Sequence, residues 1–100
     1  MAVVFVTITP LGTATPSVSR YVAGVEKVLA ASGLRHELTA MGTIIEGDLD
    51  RVLEVVRRMH EHPFGEGALR VSTSIRIDDR RDKEHTIAGK MRSVREKMGG

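Results

Sequence analysis

Apolar and polar positions alternate along this chain in a pattern that changes period repeatedly. From Ala2 to Thr9, Val4, Val6 and Ile8 fall on one side of an extended chain, with Val3, Phe5, Thr7 and Thr9 on the other. Both sides are substantially apolar, which predicts a central strand covered by helices on one face. After the loop Pro10 to Thr15, Thr15 or Ser17 can cap a helix whose first position suits Pro16. Val18, Tyr21, Val22, Val25, Val28 and Leu29 then recur at helical spacing, and Gly33 can supply the left-handed residue that ends the helix. Leu34 to Thr39 and Thr43 to Gly47 read as short strands around the turn Ala40-Met41-Gly42. Asp48 is placed to cap a second helix running to about His62, with Leu49, Val52, Leu53, Val56 and Met59 inward, until Pro63-Phe64-Gly65 breaks it. Leu69 to Asp78 is a long fourth strand. A charged connection, Asp79 to Lys83, precedes a last helix with Ile87, Met91, Val94 and Met98 on one side.

The order is therefore βαββαβ plus a C-terminal helix. Two right-handed crossovers interleave into an antiparallel sheet of order 4-1-3-2, with both crossover helices on one face. This predicts an α+β, ferredoxin-like sandwich forming a single domain over residues 1–100. The opposite face is left bare with groups such as Val3 and Phe5, and the fourth strand is left as a long edge. Assembly into a homo-oligomer is the expected remedy.

Composition narrows the function classes. Only three aromatics occur, Phe5, Tyr21 and Phe64, so the core is aliphatic and base-stacking nucleic-acid modules are disfavoured. Fifteen Lys+Arg against 13 Asp+Glu leave a net charge of only +2, interspersed as on a solvated surface; no nucleic-acid partner is expected. The absence of cysteine excludes disulfides, thiol catalysis and Cys-based zinc sites. The N-terminus reads as a strand rather than a signal peptide, and no apolar run approaches the ~20 residues of a membrane span. A soluble, cytoplasmic protein without membrane association is expected.

Three segments carry a family resemblance: PLGTATPSVSRYV (Pro10 to Val22), ELTAMGTIIEGDLD (Glu37 to Asp50) and TSIRIDDRRDK (Thr73 to Lys83). In this order they resemble the small thiamine-binding proteins of the YkoF-like family, over essentially the whole chain. The resemblance implies a ferredoxin-like protomer, assembly into dimers and tetramers (a dimer of dimers), and binding of thiamine or its hydroxymethylpyrimidine moiety. It implies no catalysis.

Strand directions locate a candidate site independently. The end of the first strand (Thr9), the start of the first helix (Ser17, Ser19) and the turn with its flanks (Thr39, Met41, Gly42, Thr43) lie at one end of the sheet. Hydroxyls, free helix N–H groups and an adaptable thioether there suit a small heteroaromatic ligand. The same hydroxyls could instead only cap the helix and close turns. Glu46 lies at the opposite end, where a carboxylate could accept from an exocyclic amine or face a thiazolium; it could equally be an exposed strand-end residue. Arg76 and Asp78, with Asp79 and Arg80, share that far end and could reach the first cluster only from a neighbouring subunit. Otherwise they form ion pairs or a solvated rim.

Other chemical signals are weak. His60 and His62 are two apart on a helix and do not face each other, so no metal is expected. The serines lack a nucleophile elbow, the glycines lack a phosphate-cradling spacing, and Asp78 and Asp79 point to opposite sides of a strand. No cofactor and no enzyme activity are expected. A ligand-sensing regulatory module acting on a partner protein is the alternative reading. An acylphosphatase-like enzyme would want an arginine in the loop after the first strand, and Pro10 to Ser19 has none.

Overall fold

The computed structural model describes residues 1–12, 19–82 and 86–99, with the side chain of Ser19 left aside. Its elements are β1 (Ala2–Leu11), α1 (Ser19–Ser32), β2 (Arg35–Thr39), β3 (Gly42–Gly47), α2 (Leu49–Gly65), β4 (Arg70–Asp79) and α3 (Ile87–Lys97). The strands form one antiparallel sheet in the order β2-β3-β1-β4, the expected ferredoxin-like arrangement.

The residues of β1 that face α1 and α2 are Ala2, Val4 and Val6, all buried, and they meet Ile45 of β3. Val25 and Leu29 of α1 close the core together with Val52, Val55, Val56 and Met59 of α2. Burying an aliphatic side chain of this size contributes about 1.5–3 kcal/mol. No aromatic side chain takes part in this core cluster. Gly33 takes φ +76 directly after α1 and ends it as expected.

The structure corrects several details. On α2 the inner stripe is Val52, Val55, Val56, Met59 and Pro63, while Leu53 is 37% exposed. The helix also runs through Pro63 to Gly65. In its last turn the proline ring forfeits one N–H, and its carbonyl is used twice, accepting from Glu66 N (3.1 Å) and Ala68 N (3.0 Å). Asp48 stands at the N-cap position in an extended conformation, but its side chain makes no capping bond; its carbonyl accepts from Val52 N at 2.9 Å. The expected capping of α1 by Thr15 or Ser17 lies outside the described residues.

β1 is longer than expected and includes Pro10 and Leu11, which pair with Val71 and Arg70 of β4. The β3 ladder stops earlier, at Val6↔Thr43. From Thr7 onward β1 is thus an edge on its β3 side, the kind of position where a proline is tolerated.

The other sheet face carries Val3, Phe5 and Ile44, with α3 lying over part of it. Only Ile87 of α3 is buried; Met91, Val94 and Met98 are about half exposed or more. Among the described residues no helix is long and apolar enough to cross a membrane.

Candidate functional site

Where β3 ends and β1 continues, a cavity of about 230 Å³ opens between the sheet and α1. Its floor is Val6, Ile8 and Met59; one wall is Val22, Val25 and Glu26 of α1, and the other is the hairpin from Leu38 to Thr43. The backbone geometry follows from the unequal strand lengths. Alternate residues of β1 beyond Val6 point their N–H and C=O away from β4, to a side where no strand pairs among the described residues. Thr7 and Thr9 line the cavity in this stretch.

The two threonines of the hairpin do different work. Thr39 Oγ accepts from Met41 N and Gly42 N, both at 3.2 Å, and donates to Gly42 O at 2.7 Å. A hydroxyl has one donor and two acceptor positions, so Thr39 spends all of them closing the turn. Thr43 is 6% exposed and donates to Glu26 Oε1 at 2.7 Å. It fixes one oxygen of a carboxylate that is itself only half-buried and lines the cavity. Glycine is required at position 42 for contact: a Cβ there would lie 2.6 Å from Phe5 Cζ and 2.8 Å from Thr7 Cγ2. The Phe5 ring consequently covers the hairpin from the opposite sheet face.

α1 is held in place at its start by α2. Gly24 is buried, and a Cβ there would press on the side-chain ends of His62 and Glu66. His62 Nε2 lies 2.7 Å from Glu66 Oε1, and Arg20 adds a longer contact, 3.6 Å from Glu66 Oε2. His60, by contrast, bonds Thr73 of β4 at 2.6 Å. The two histidines thus serve separate tertiary contacts on different neighbours.

Of the residues singled out from sequence, Thr9, Thr39, Met41, Gly42 and Thr43 come together at this cavity. Ser17 and the side chain of Ser19 lie outside the described residues. Glu46, Arg76 and Asp78 are at the far end, as the strand directions implied. Glu46 is 7% exposed; its Oε2 accepts from Ile87 N at 2.6 Å and its Oε1 lies 3.3 Å from Arg35 Nε. It serves as a cap for α3, beside Thr86, whose hydroxyl accepts from Gly89 N. Arg76 and Asp78 line a second, wider hollow of about 480 Å³ under α3, with Val3, Phe5 and Met91. There Lys90 Nζ binds Asp78 at 2.7 Å. Nearby, Arg80 pairs with Asp82 and Arg81 with Asp79, which raises both guanidinium pKa values through these hydrogen bonds.

Glu26 is the residue that sequence reading missed. It falls four residues after Val22 and three before Leu29, on the helix stripe read as apolar. A lone acid within such a stripe was the available signal. It is also the only charged side chain among the described residues lining the cavity. A carboxylate accepts hydrogen bonds and attracts cations, so this wall favours ligands with N–H donors or positive charge over anions. No aromatic side chain among the described residues lines this cavity: Phe5 belongs to the other face, and Tyr21 sits under the Arg20 guanidinium at 5.0 Å.

Comparison with known proteins gives a consistent result. A family profile described as Thiamine-binding protein matches residues 4–95. The UPF0045 protein YqgV of Bacillus subtilis is 51% identical over 98 residues, covering 94% of each chain. The crystal structure of the hypothetical protein MJ1052 of Methanocaldococcus jannaschii superposes with a TM-score of 0.85 at 40% identity, covering 93% of this chain and 94% of that one. A Thermotoga maritima crystal structure shares the fold at a TM-score of 0.77 with 16% identity, over 93% and 97% of the two chains.

Proposed function

Because the chain belongs to the thiamine-binding protein family, we propose that it is a non-catalytic, cytoplasmic binding protein for thiamine or its hydroxymethylpyrimidine half. The ligand occupies the cavity between α1 and the β2–β3 hairpin. The observation that carries this reading is the carboxylate of Glu26, anchored by Thr43 on an apolar wall that holds no basic residue among those described. An aminopyrimidine offers the N–H donors and flat apolar faces that this lining complements. The Thermotoga neighbour, provisionally assigned to thiamine biosynthesis or salvage, supports the same ligand class.

Size selects the half of the molecule that enters. The cavity's 230 Å³ falls below the ~300 Å³ at which pockets for drug-sized ligands begin. One substituted ring fits inside, and a thiazolium would sit at the mouth beside the exposed Met41. The wider hollow under α3 is the weaker candidate because its Asp78 and Lys90 are already bonded to each other.

Isothermal titration tests the assignment. Hydroxymethylpyrimidine and thiamine should both give saturable heat, and phosphate esters of either should bind more weakly near the lone carboxylate. No heat with either unphosphorylated compound at high-micromolar protein would remove the ligand assignment. Self-association belongs to the same proposal. Ile75 and Ile77 on the β4 edge are each 44% exposed, and Met91 and Val94 on α3 about half. Sedimentation velocity at micromolar concentration should therefore show species larger than one chain, and a monomer would contradict this part.

A further inference from the structure

From the pairing of Glu26 with Thr43, we infer that this cavity selects its ligand by an exocyclic amine, with Glu26 as the specificity-determining acceptor and Thr43 as its positioning residue. The inference deepens the ligand reading above and rests on it for the site, but makes a separate chemical claim about which atom of the ring is read.

Glu26 Oε1 already accepts from the Thr43 hydroxyl at 2.7 Å. That bond fixes the carboxylate against the sheet, on a side chain that would otherwise sample many rotamers. Its second oxygen, Oε2, has no hydrogen-bond or ion-pair partner among the described residues, although the side chain is half-buried at the cavity wall. Opposite it runs the stretch of β1 past Val6, whose backbone groups on that side lack a strand partner. A planar heterocycle lying between them would meet backbone donors and acceptors along one edge and a carboxylate oxygen at the other. Because a carboxylate only accepts, the group that meets it must donate, and an amine does so where a methyl or an ether oxygen cannot. A ligand lacking the donor would leave Oε2 both dehydrated and unpaired, which is the costly outcome for a buried polar atom.

The test uses two ring fragments of matched shape, 4-amino-2,5-dimethylpyrimidine and 2,4,5-trimethylpyrimidine, titrated into the full chain and followed by amide chemical shifts. The wild-type protein should prefer the amine by about tenfold or more. Glu26→Met keeps length and helix propensity while deleting the acceptor, and it should bring the two fragments to similar affinity. Thr43→Val keeps the shape of residue 43 and should narrow the preference by releasing the carboxylate, with the trimethyl fragment bound as before. Equal affinities in the wild-type protein, or a preference that survives Glu26→Met, would overturn the inference. Its failure is distinct from that of the ligand assignment. Thiamine heat without fragment discrimination removes only the role of Glu26, whereas Glu26-dependent amine selection without thiamine heat removes only the thiamine assignment.

Discussion

Val22→Phe is expected to weaken hydroxymethylpyrimidine binding by about 100-fold or more, with the melting temperature unchanged or raised. Val22 is half-buried on α1 and lines the cavity across from the hairpin. A phenyl ring there would occupy the space assigned to the heterocycle, within a volume of only about 230 Å³. Phenylalanine and valine have similar helix propensities, so α1 should be retained. Ordinarily an enlarged core residue costs about 1–3 kcal/mol through strain, but this one enters an existing void. Titration and thermal melting of the same preparation separate the two effects. Retained affinity in a folded Val22→Phe protein would mean that the ligand lies elsewhere.

The second large effect is expected at the far end. Glu46→Ala should release α3, because it removes the acceptor of Ile87 N and the partner of Arg35 together. A hydrogen bond to a charged acceptor is worth about 1.5–3 kcal/mol, and a loss near 2 kcal/mol corresponds to about 30-fold faster amide exchange along Ile87–Lys97. Arg35 is 70% exposed, so losing its partner leaves no buried charge behind and adds little. Glu46→Gln, whose amide oxygen can still accept from Ile87 N, should show a smaller effect. Pyrimidine affinity should stay within about twofold in both variants, since the cavity is at the other end of β3. Lost ligand binding with normal α3 protection would instead make Glu46 a ligand contact.

The sheet was legible in the chain because alternation along β1 and β4 and the turn between β2 and β3 leave little freedom in topology. The placement of the cavity was legible for the same reason: strand directions put Thr43 and Glu46, three residues apart in sequence, at opposite ends of β3. Other features needed coordinates. A threonine beside a turn looks the same in sequence whether or not it closes the turn, and only coordinates show the three bonds that Thr39 makes to it. Periodicity gave the right face of α2 but the wrong phase at its edge, so that Leu53 was placed inside and Val55 omitted. Pro63 was read as a helix end, but a proline in the last turn removes only one N–H, and the helix continues to Gly65. Glu26 was hidden because a stripe defined by its apolar members passes over the one acid it contains.

A crystal structure of the complex with hydroxymethylpyrimidine would show whether the pyrimidine ring lies between α1 and the β2–β3 hairpin. The expected result is a ring in contact with Val22, Val25 and Met41, its exocyclic amine within hydrogen-bond distance of Glu26. Ligand density under α3 against Phe5 and Met91, with the α1 cavity empty, would contradict it.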